Sequence, residues 1–180
     1  MSSASALKKQ LSETFAQQLV MPPALDQIAP EALAAAIKGA DPAAAVRVID
    51  VRQTEEFNAG HVKGAVSMPM DTFDPEGLVK AVMEDVSNGK KPTVVFASSQ
   101  SPDIDANCAL SFVGAWEEAG ADKTTNLAGT SIAVTLLGGV VYWLQQYSGD
   151  EALTEAYDAA TWDAVLKQAR ASEADAGSPV

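Results

Sequence analysis

The stretch TVVFASSQSPDIDAN, residues 93–107, decides how the rest of the chain is interpreted. Its first part, TVVFA, is β-branched and aromatic like a buried strand, and the small polar SSQS that follows is typical of a tight turn. Ser101 can then cap a helix, with Pro102 at the first helical position and Asp103 in the first turn. The stretch therefore predicts a strand, an abrupt loop and the start of a helix.

Short strands and helices alternate on both sides of this stretch. Strands are predicted at residues 46–51, 65–68, 93–96 and 132–136, and helices at residues 31–38, 54–59, 76–87, 102–119, 140–147 and 161–170. This alternation predicts an α/β fold, a three-layer sandwich with a mainly parallel central sheet. Since ligands bind beyond the carboxyl ends of strands in such folds, residues 97–104 become the candidate site.

The flanks of the α/β domain, residues 23–150, are predicted to be helical. Residues 1–22 form an amphipathic helical extension, with leucines and Phe15 at helical spacing. This segment lacks Arg and carries Glu13, so mitochondrial targeting is disfavoured against packing on the domain or on a partner. A helical segment at residues 151–170 and a disordered tail at 171–180 complete the division.

Composition limits the classes of function. The net charge of −12 and the pI near 4.3 argue against nucleic acid and against anionic membrane surfaces. No apolar run approaches the roughly 20 residues that a bilayer span needs. The single cysteine, Cys108, and the single histidine, His61, exclude a disulfide framework and a cysteine- or histidine-based metal cluster. We expect a cytoplasmic protein with no metal and no cofactor.

Three segments resemble the rhodanese-like domain family. VIDVRQTEEFNAGHVKGAVSMP, residues 48–69, looks like the family's strand ending in Asp-x-Arg, then Glu-Phe and Gly-His-Ile/Val-x-Gly-Ala. TLLGGVVYW, residues 135–143, is similar to its Leu-x-Gly-Gly followed by a helical tryptophan, and TVVFA with its loop is the third match. The loop string most resembles the branch containing cell-cycle dual-specificity phosphatases and eukaryotic arsenate reductases.

The resemblance implies a chemistry that the loop residues do not supply. In that branch the strand leads into His-Cys, and after a loop serine comes an Arg that clamps phosphate, arsenate or a sulfur-bearing anion. Ala97 stands at the His position, Ser98 at the nucleophile, Ser101 at the loop serine and Ile104 at the Arg. Because residues 92–122 contain neither Lys nor Arg, no shift of alignment restores the clamp.

Two groups of residues are singled out by position. Four polar residues close in sequence are predicted to form a structural network, in which His61 fixes a loop and bonds to Asp50; the four are Asp50, Arg52, Glu56 and His61. The candidates for ligand binding at the loop are Ala97, Ser98, Ser99, Gln100, Ser101, Asp103 and Ile104.

Three functions remain open. The favoured one is a catalytically inactive domain that binds or regulates another protein, because the thiol and the cation are both missing and Asp103 and Asp105 place carboxylates where an anion would bind. The second is a phosphatase, arsenate reductase or sulfurtransferase that uses Ser98, or Cys108 after the loop rearranges. The third is a protein that binds a small ligand, such as an anion, through the N–H groups of the loop.

Overall fold

The central sheet is built from five parallel strands. The computed structural model describes residues 25–39, 43–121 and 131–176, so the predicted helix at residues 1–22 and most of the loop at 121–131 lie outside the described part. The strand order is β1 (Gln27–Ile28), β6 (Ala133–Leu136), β5 (Lys91–Ala97), β2 (Ala44–Asp50) and β4 (Val66–Ser67). The predicted mainly parallel sheet is confirmed.

Helices cover both faces of this sheet. In chain order they are α1 (Pro30–Lys38), α2 (Thr54–Asn58), α3 (Pro75–Ser87), α4 (Pro102–Glu118), α5 (Gly139–Tyr147) and α6 (Ala159–Ala176), with a 3-10 turn at Met70–Thr72. Side chains of α1, α5 and α6 share one buried cluster with the sheet, and those of α3 and α4 share the other. The three-layer α/β sandwich predicted from the sequence is confirmed.

Strand β5 shows why the sheet is central. Val95 and Ala97 belong to one cluster, whereas Val94 and Phe96 belong to the other. Successive side chains of a strand point to opposite faces, so the continuous apolar run TVVFA supplies both cores at once. The carboxyl end of this doubly buried strand is consequently held in place from two sides.

A second, two-stranded sheet was not predicted. Strand β3 (His61–Val62) pairs antiparallel with β7 (Thr154–Glu155). This pairing ties residues beyond 150 to the domain, and Trp162 and Leu166 of α6 are buried in the same core. Helix α6 ends at Ala176, within the span 171–180 that was predicted to be a disordered tail. No described helix is both long enough and apolar enough to cross a membrane.

Candidate functional site

The candidate loop lies at the carboxyl edge of the sheet, as the sequence predicted. Strand β5 ends at Ala97 and α4 begins at Pro102, so Ser98 to Ser101 form the connection. Ala97 and Ser98 are buried, Gln100, Ser101 and Asp103 are exposed, and Ser99 and Ile104 are intermediate. All seven candidate residues are therefore adjacent, on one short segment between a buried strand and a helix.

The first residues of α5, the helix that follows β6, bind the backbone of the candidate loop. The Val140 N–H donates to the Ser98 carbonyl at 2.8 Å, and the Val141 N–H donates to the Ser99 carbonyl at 3.1 Å. Gly139 has φ 64°, and a Cβ there would lie 2.5 Å from the Ser99 carbonyl oxygen. Glycine is needed here both for the left-handed backbone and for this close approach.

The Ser98 hydroxyl is used within the loop. It donates to the Ser101 carbonyl at 2.8 Å, and the same carbonyl accepts the Ile104 N–H at 3.2 Å. Ser101 occupies the N-cap position of α4, but its side chain makes no capping bond; the sequence prediction of a side-chain cap is wrong because the backbone carbonyl satisfies the turn instead. The Ser98 proton is therefore directed at a backbone carbonyl, which cannot act as a general base.

Asp105 was noticed in the sequence but not placed among the candidate site residues. The structure separates it from Asp103: Asp103 is exposed, whereas Asp105 is buried and its Oδ2 accepts the Ser98 N–H at 3.4 Å. Its Oδ1 has no hydrogen-bond partner among the described residues. Burial raises the pKa of the Asp105 carboxyl, and this outweighs the bonds from the backbone and from Ser98 that lower it.

A sequence signal could have revealed this burial. Asp105 shares the spacing of the apolar face of α4, since Cys108, Ala109 and Phe112 follow it at i+3, i+4 and i+7 and all are buried. The first-turn position suggested an exposed carboxylate, but the helix face decides the orientation of the side chain. Asp105 is therefore a functional candidate that was overlooked because it lies in α4 and not in the loop.

Cys108 lies in the core below the loop. Its side chain is buried, and burial together with the charge of Asp105 raises the pKa of the thiol. A thiol must be deprotonated to act as a nucleophile, and nearby cations usually achieve this. Here the neighbouring charge has the wrong sign, so Cys108 is unsuited to replace the missing cysteine.

The predicted polar network is wrong as a single unit. Arg52 binds both carboxylate oxygens of Asp50, with Nε to Oδ1 at 2.9 Å and an η-nitrogen to Oδ2 at 2.7 Å, and also donates to the Gly60 carbonyl at 2.7 Å. Its guanidinium carbon lies 5.6 Å from the centre of the Trp162 ring. Because Arg52 already occupies both oxygens, Asp50 is not the partner of His61.

The other two members of that network, Glu56 and His61, bond to residues outside it. Glu56 accepts the Ser99 hydroxyl at 2.7 Å, which links α2 directly to the candidate loop. His61 places Nδ1 2.8 Å from the Phe57 carbonyl and Nε2 3.5 Å from Glu155 Oε2, because β3 lies beside the unpredicted strand β7. His61 is thus held in a contact between strands, and the predicted bond to Asp50 is wrong.

Two cavities lie on either side of the loop. The smaller, of about 140 Å³, is lined by Val51, Arg52, Gln53, Glu56, Met70, Ser98, Ser99, Ser101 and Ile104. The larger, of about 220 Å³, is lined by Gln27, Gln100, Pro102, Asp105, Leu136, Leu137, Gly138 and Gly139. Arg52 is the one cationic residue lining them in the described chain, and its side chain is 1% exposed and paired with Asp50. Its Nη1 has no hydrogen-bond partner among the described residues, but the charge of the guanidinium is paired with Asp50, so neither cavity offers an unpaired cation to an anionic ligand.

Within the described ranges, no cluster of His, Cys, Asp and Glu side chains could hold a metal ion. Chemistry at the loop therefore depends on hydroxyls, the carboxyls of Asp105 and Glu56, the Arg52 guanidinium paired with Asp50, side-chain amides and backbone groups. This set can bind hydrogen-bond donors, but it contains neither an activated nucleophile nor an accessible clamp for an anion.

Solved structures with the same fold include proteins from yeast and Leishmania. The Saccharomyces cerevisiae protein Ygr203w, described as a protein tyrosine phosphatase of the rhodanese family, is 21% identical with a TM-score of 0.61, over 78% of this chain and 99% of its own. The As-Sb reductase of Leishmania major is 22% identical with a TM-score of 0.55, over 71% of this chain and 82% of its own. These similarities establish the fold.

The sequence also matches a family model directly. No curated protein is similar enough in sequence to match the chain. The model described as the rhodanese-like domain, however, matches residues 29–146. This span includes the candidate loop, the smaller cavity, the lining of the larger cavity except Gln27, and every strand of the central sheet except β1. This chain belongs to the rhodanese-like domain family.

Proposed function

We propose that this chain is a catalytically inactive rhodanese-like domain that acts as a binding or regulatory module for another protein. The observation that carries the proposal is the Asp105 carboxyl, which is buried at the base of the loop and accepts the Ser98 N–H. In an anion-binding loop such N–H groups are directed at the ligand. Here an internal carboxyl has taken one of them.

Electrostatics supports the same reading. A phosphate or arsenate at Ser98 would approach the Asp105 carboxyl and Glu56, without a free cation among the described residues that line the cavities. Taking an anion out of water next to like charges costs free energy that must be offset by donors or cations. Ile104, at the clamp position, contributes neither.

Neither Ser98 nor Cys108 is activated as a nucleophile. Replacing cysteine by serine still leaves a nucleophile where a base is adjacent, but the Ser98 hydroxyl bonds to the Ser101 carbonyl. The pKa of the Cys108 thiol is raised rather than lowered. The alternative of a phosphatase, arsenate reductase or sulfurtransferase is favoured by the similarity to Ygr203w and to the As-Sb reductase alone.

Three activity assays test the proposal: thiosulfate with cyanide, an aryl phosphate, and arsenate with a thiol reductant. The parent protein and Ser98→Ala are expected to give the same rate as the uncatalysed reaction in all three. Turnover by the parent that exceeds the Ser98→Ala rate in any assay would show that the loop is catalytic.

A restoring variant sharpens the result. Ser98→Cys with Ile104→Arg returns the two missing groups, and adding Asp105→Asn removes the carboxyl below them. If the scaffold is intact, activity should appear in the triple variant and be weaker in the double variant, since the carboxyl opposes both the thiolate and an anionic substrate.

A further inference from the structure

The larger cavity beside the loop has a polarity opposite to that of an anion site. It has a volume of about 220 Å³, enough for several water molecules at about 30 Å³ each. Its polar side chains are Asp105, Gln27 and Gln100, and apolar walls come from Leu136, Leu137 and Pro102. The polar side chains are thus one carboxyl and two amides, with no cationic residue among those lining the cavity.

Asp105 provides an independent observation that points to a ligand-binding position. It is 2% exposed and lines the cavity, and its Oδ2 accepts the Ser98 N–H at 3.4 Å. Oδ1 has no partner in the described part of the chain. A buried acceptor without a donor is destabilising, and the cost is greater when the group is charged. A donor reaching Oδ1 through the cavity would remove this cost.

The charge of the surroundings selects the type of donor. Asp103, which is exposed and lies two residues before Asp105 in α4, adds a second negative charge, and the raised pKa of the Cys108 thiol keeps it neutral. A cationic donor gains from both carboxyls, and hydrogen bonds between an ionised donor and a carboxylate are stronger than neutral ones. The Gln27 and Gln100 amide oxygens can accept further N–H groups.

We propose that this cavity binds an ammonium or guanidinium group, which donates a hydrogen bond to Asp105. This assignment rests on the proposed binding function and deepens it by naming the chemistry that the module recognises. The group can come from a lysine or arginine side chain of a partner protein or from a free amine. Both sources present the same N–H donors to the same carboxyl.

Calorimetric titration with four probes separates these sources: n-butylammonium, methylguanidinium, a short capped peptide with one central lysine, and inorganic phosphate. We expect the cations to bind and phosphate not to bind. Stronger binding of the peptide than of n-butylammonium identifies a protein side chain as the source, and equal binding identifies a free amine. Perturbation of the Ser98 amide signal in a nuclear magnetic resonance titration locates the bound cation at this cavity.

Matched variants identify the residue that is responsible. Asp105→Asn should weaken cation binding by about tenfold or more, since it removes a charged acceptor. Asp103→Asn removes the same charge from the same helical turn at an exposed position, so it should change binding by only about twofold. Leu137→Lys, at a position that is 45% exposed on the cavity wall, should weaken binding without altering the core.

Three results would overturn the assignment: absence of cation binding, equal loss in Asp105→Asn and Asp103→Asn, or binding of phosphate in preference to the cations. If Asp105→Asn does not fold, the Leu137→Lys result decides, and unchanged binding in that variant is equally contrary. An inert protein that binds no cation contradicts this assignment alone. Turnover in the three activity assays contradicts the proposed function instead.

Discussion

Substitution of Gly139 by alanine tests how the loop is held. Gly139 has φ 64°, and an added Cβ would lie 2.5 Å from the Ser99 carbonyl oxygen and 2.7 Å from that of Ser98. Left-handed backbone costs a residue with a Cβ about 1–2 kcal/mol. The clash also pushes α5 away from the two carbonyls that its Val140 and Val141 N–H groups bind, and each weakened bond costs about 0.5–1.5 kcal/mol. We predict a loss of about 3 kcal/mol in the free energy of unfolding.

Two other glycines separate the contributions to this loss. Gly89 has φ 77° but nothing within 4 Å of an added Cβ, so Gly89→Ala should cost only the backbone term of about 1–2 kcal/mol. Gly114 lies in α4 with open space around it, so Gly114→Ala should stabilise the protein by about 0.5–1 kcal/mol. The three variants change the same group of atoms in three different environments.

Urea unfolding followed by tryptophan fluorescence measures all three. For Gly139→Ala the midpoint should fall by about 1–2 M urea while the slope m stays unchanged, because the surface exposed on unfolding is the same. If Gly139→Ala loses no more stability than Gly89→Ala, then α5 is not pressed against the loop backbone.

Three further predictions concern the site and the core. Burial raises the pKa of Asp105 above its ordinary 3.8. The contribution of Asp105 to the free energy of unfolding is therefore most favourable below pH 3.8 and is lost as pH rises through the folded pKa. Asp105→Asn should therefore gain stability relative to the parent as pH rises above about 4 in urea unfolding, and a difference that is constant with pH would contradict this. Iodoacetamide should modify Cys108 slowly at neutral pH and rapidly in denaturant; rapid modification of the folded protein would show an accessible thiolate. In urea unfolding, Trp162→Ala should lower the free energy of unfolding by about 3–5 kcal/mol, because the ring is buried. Val165→Ala, at an exposed position of the same helix, should lower it by less than about 0.5 kcal/mol. Similar losses in the two variants would mean that Trp162 is not packed in the core.

The sheet and the position of the site were predictable because long apolar runs carry strong signals. The runs VRVIDV and TVVFA supply two adjacent central strands, and the rule on carboxyl ends then locates the loop without any contact information. Strands β3 and β7 were missed for the opposite reason. Each has two residues, which is too short for any periodicity to appear. Strand β4 is equally short, but it was predicted because it lies in the longer run at residues 65–68 that Pro69 ends.

Side-chain partners were predictable only where the chain brings them together locally. Asp50 and Arg52 bond as expected from adjacent positions, but His61 meets Glu155, which is far away in sequence and lies on a strand that was not predicted. The direction of the Ser98 hydroxyl depends on the turn that the loop adopts, which residue types alone do not fix. The burial of Asp105 could have been predicted, since the sequence places Asp105 at helical spacing from the apolar residues of α4.

The pairing of β3 with β7 sets an order for folding during synthesis. Val62 is fully buried in a core that also contains Leu153, Trp162 and Leu166, so this core remains open until those later residues have left the ribosome. The other core draws its residues from a span that ends at Ala133 and can form earlier. Contacts between distant residues slow folding, and partly folded chains with exposed apolar surface are prone to aggregate. The emerging chain will therefore need protection on the α1 and α5 face until α6 has been made.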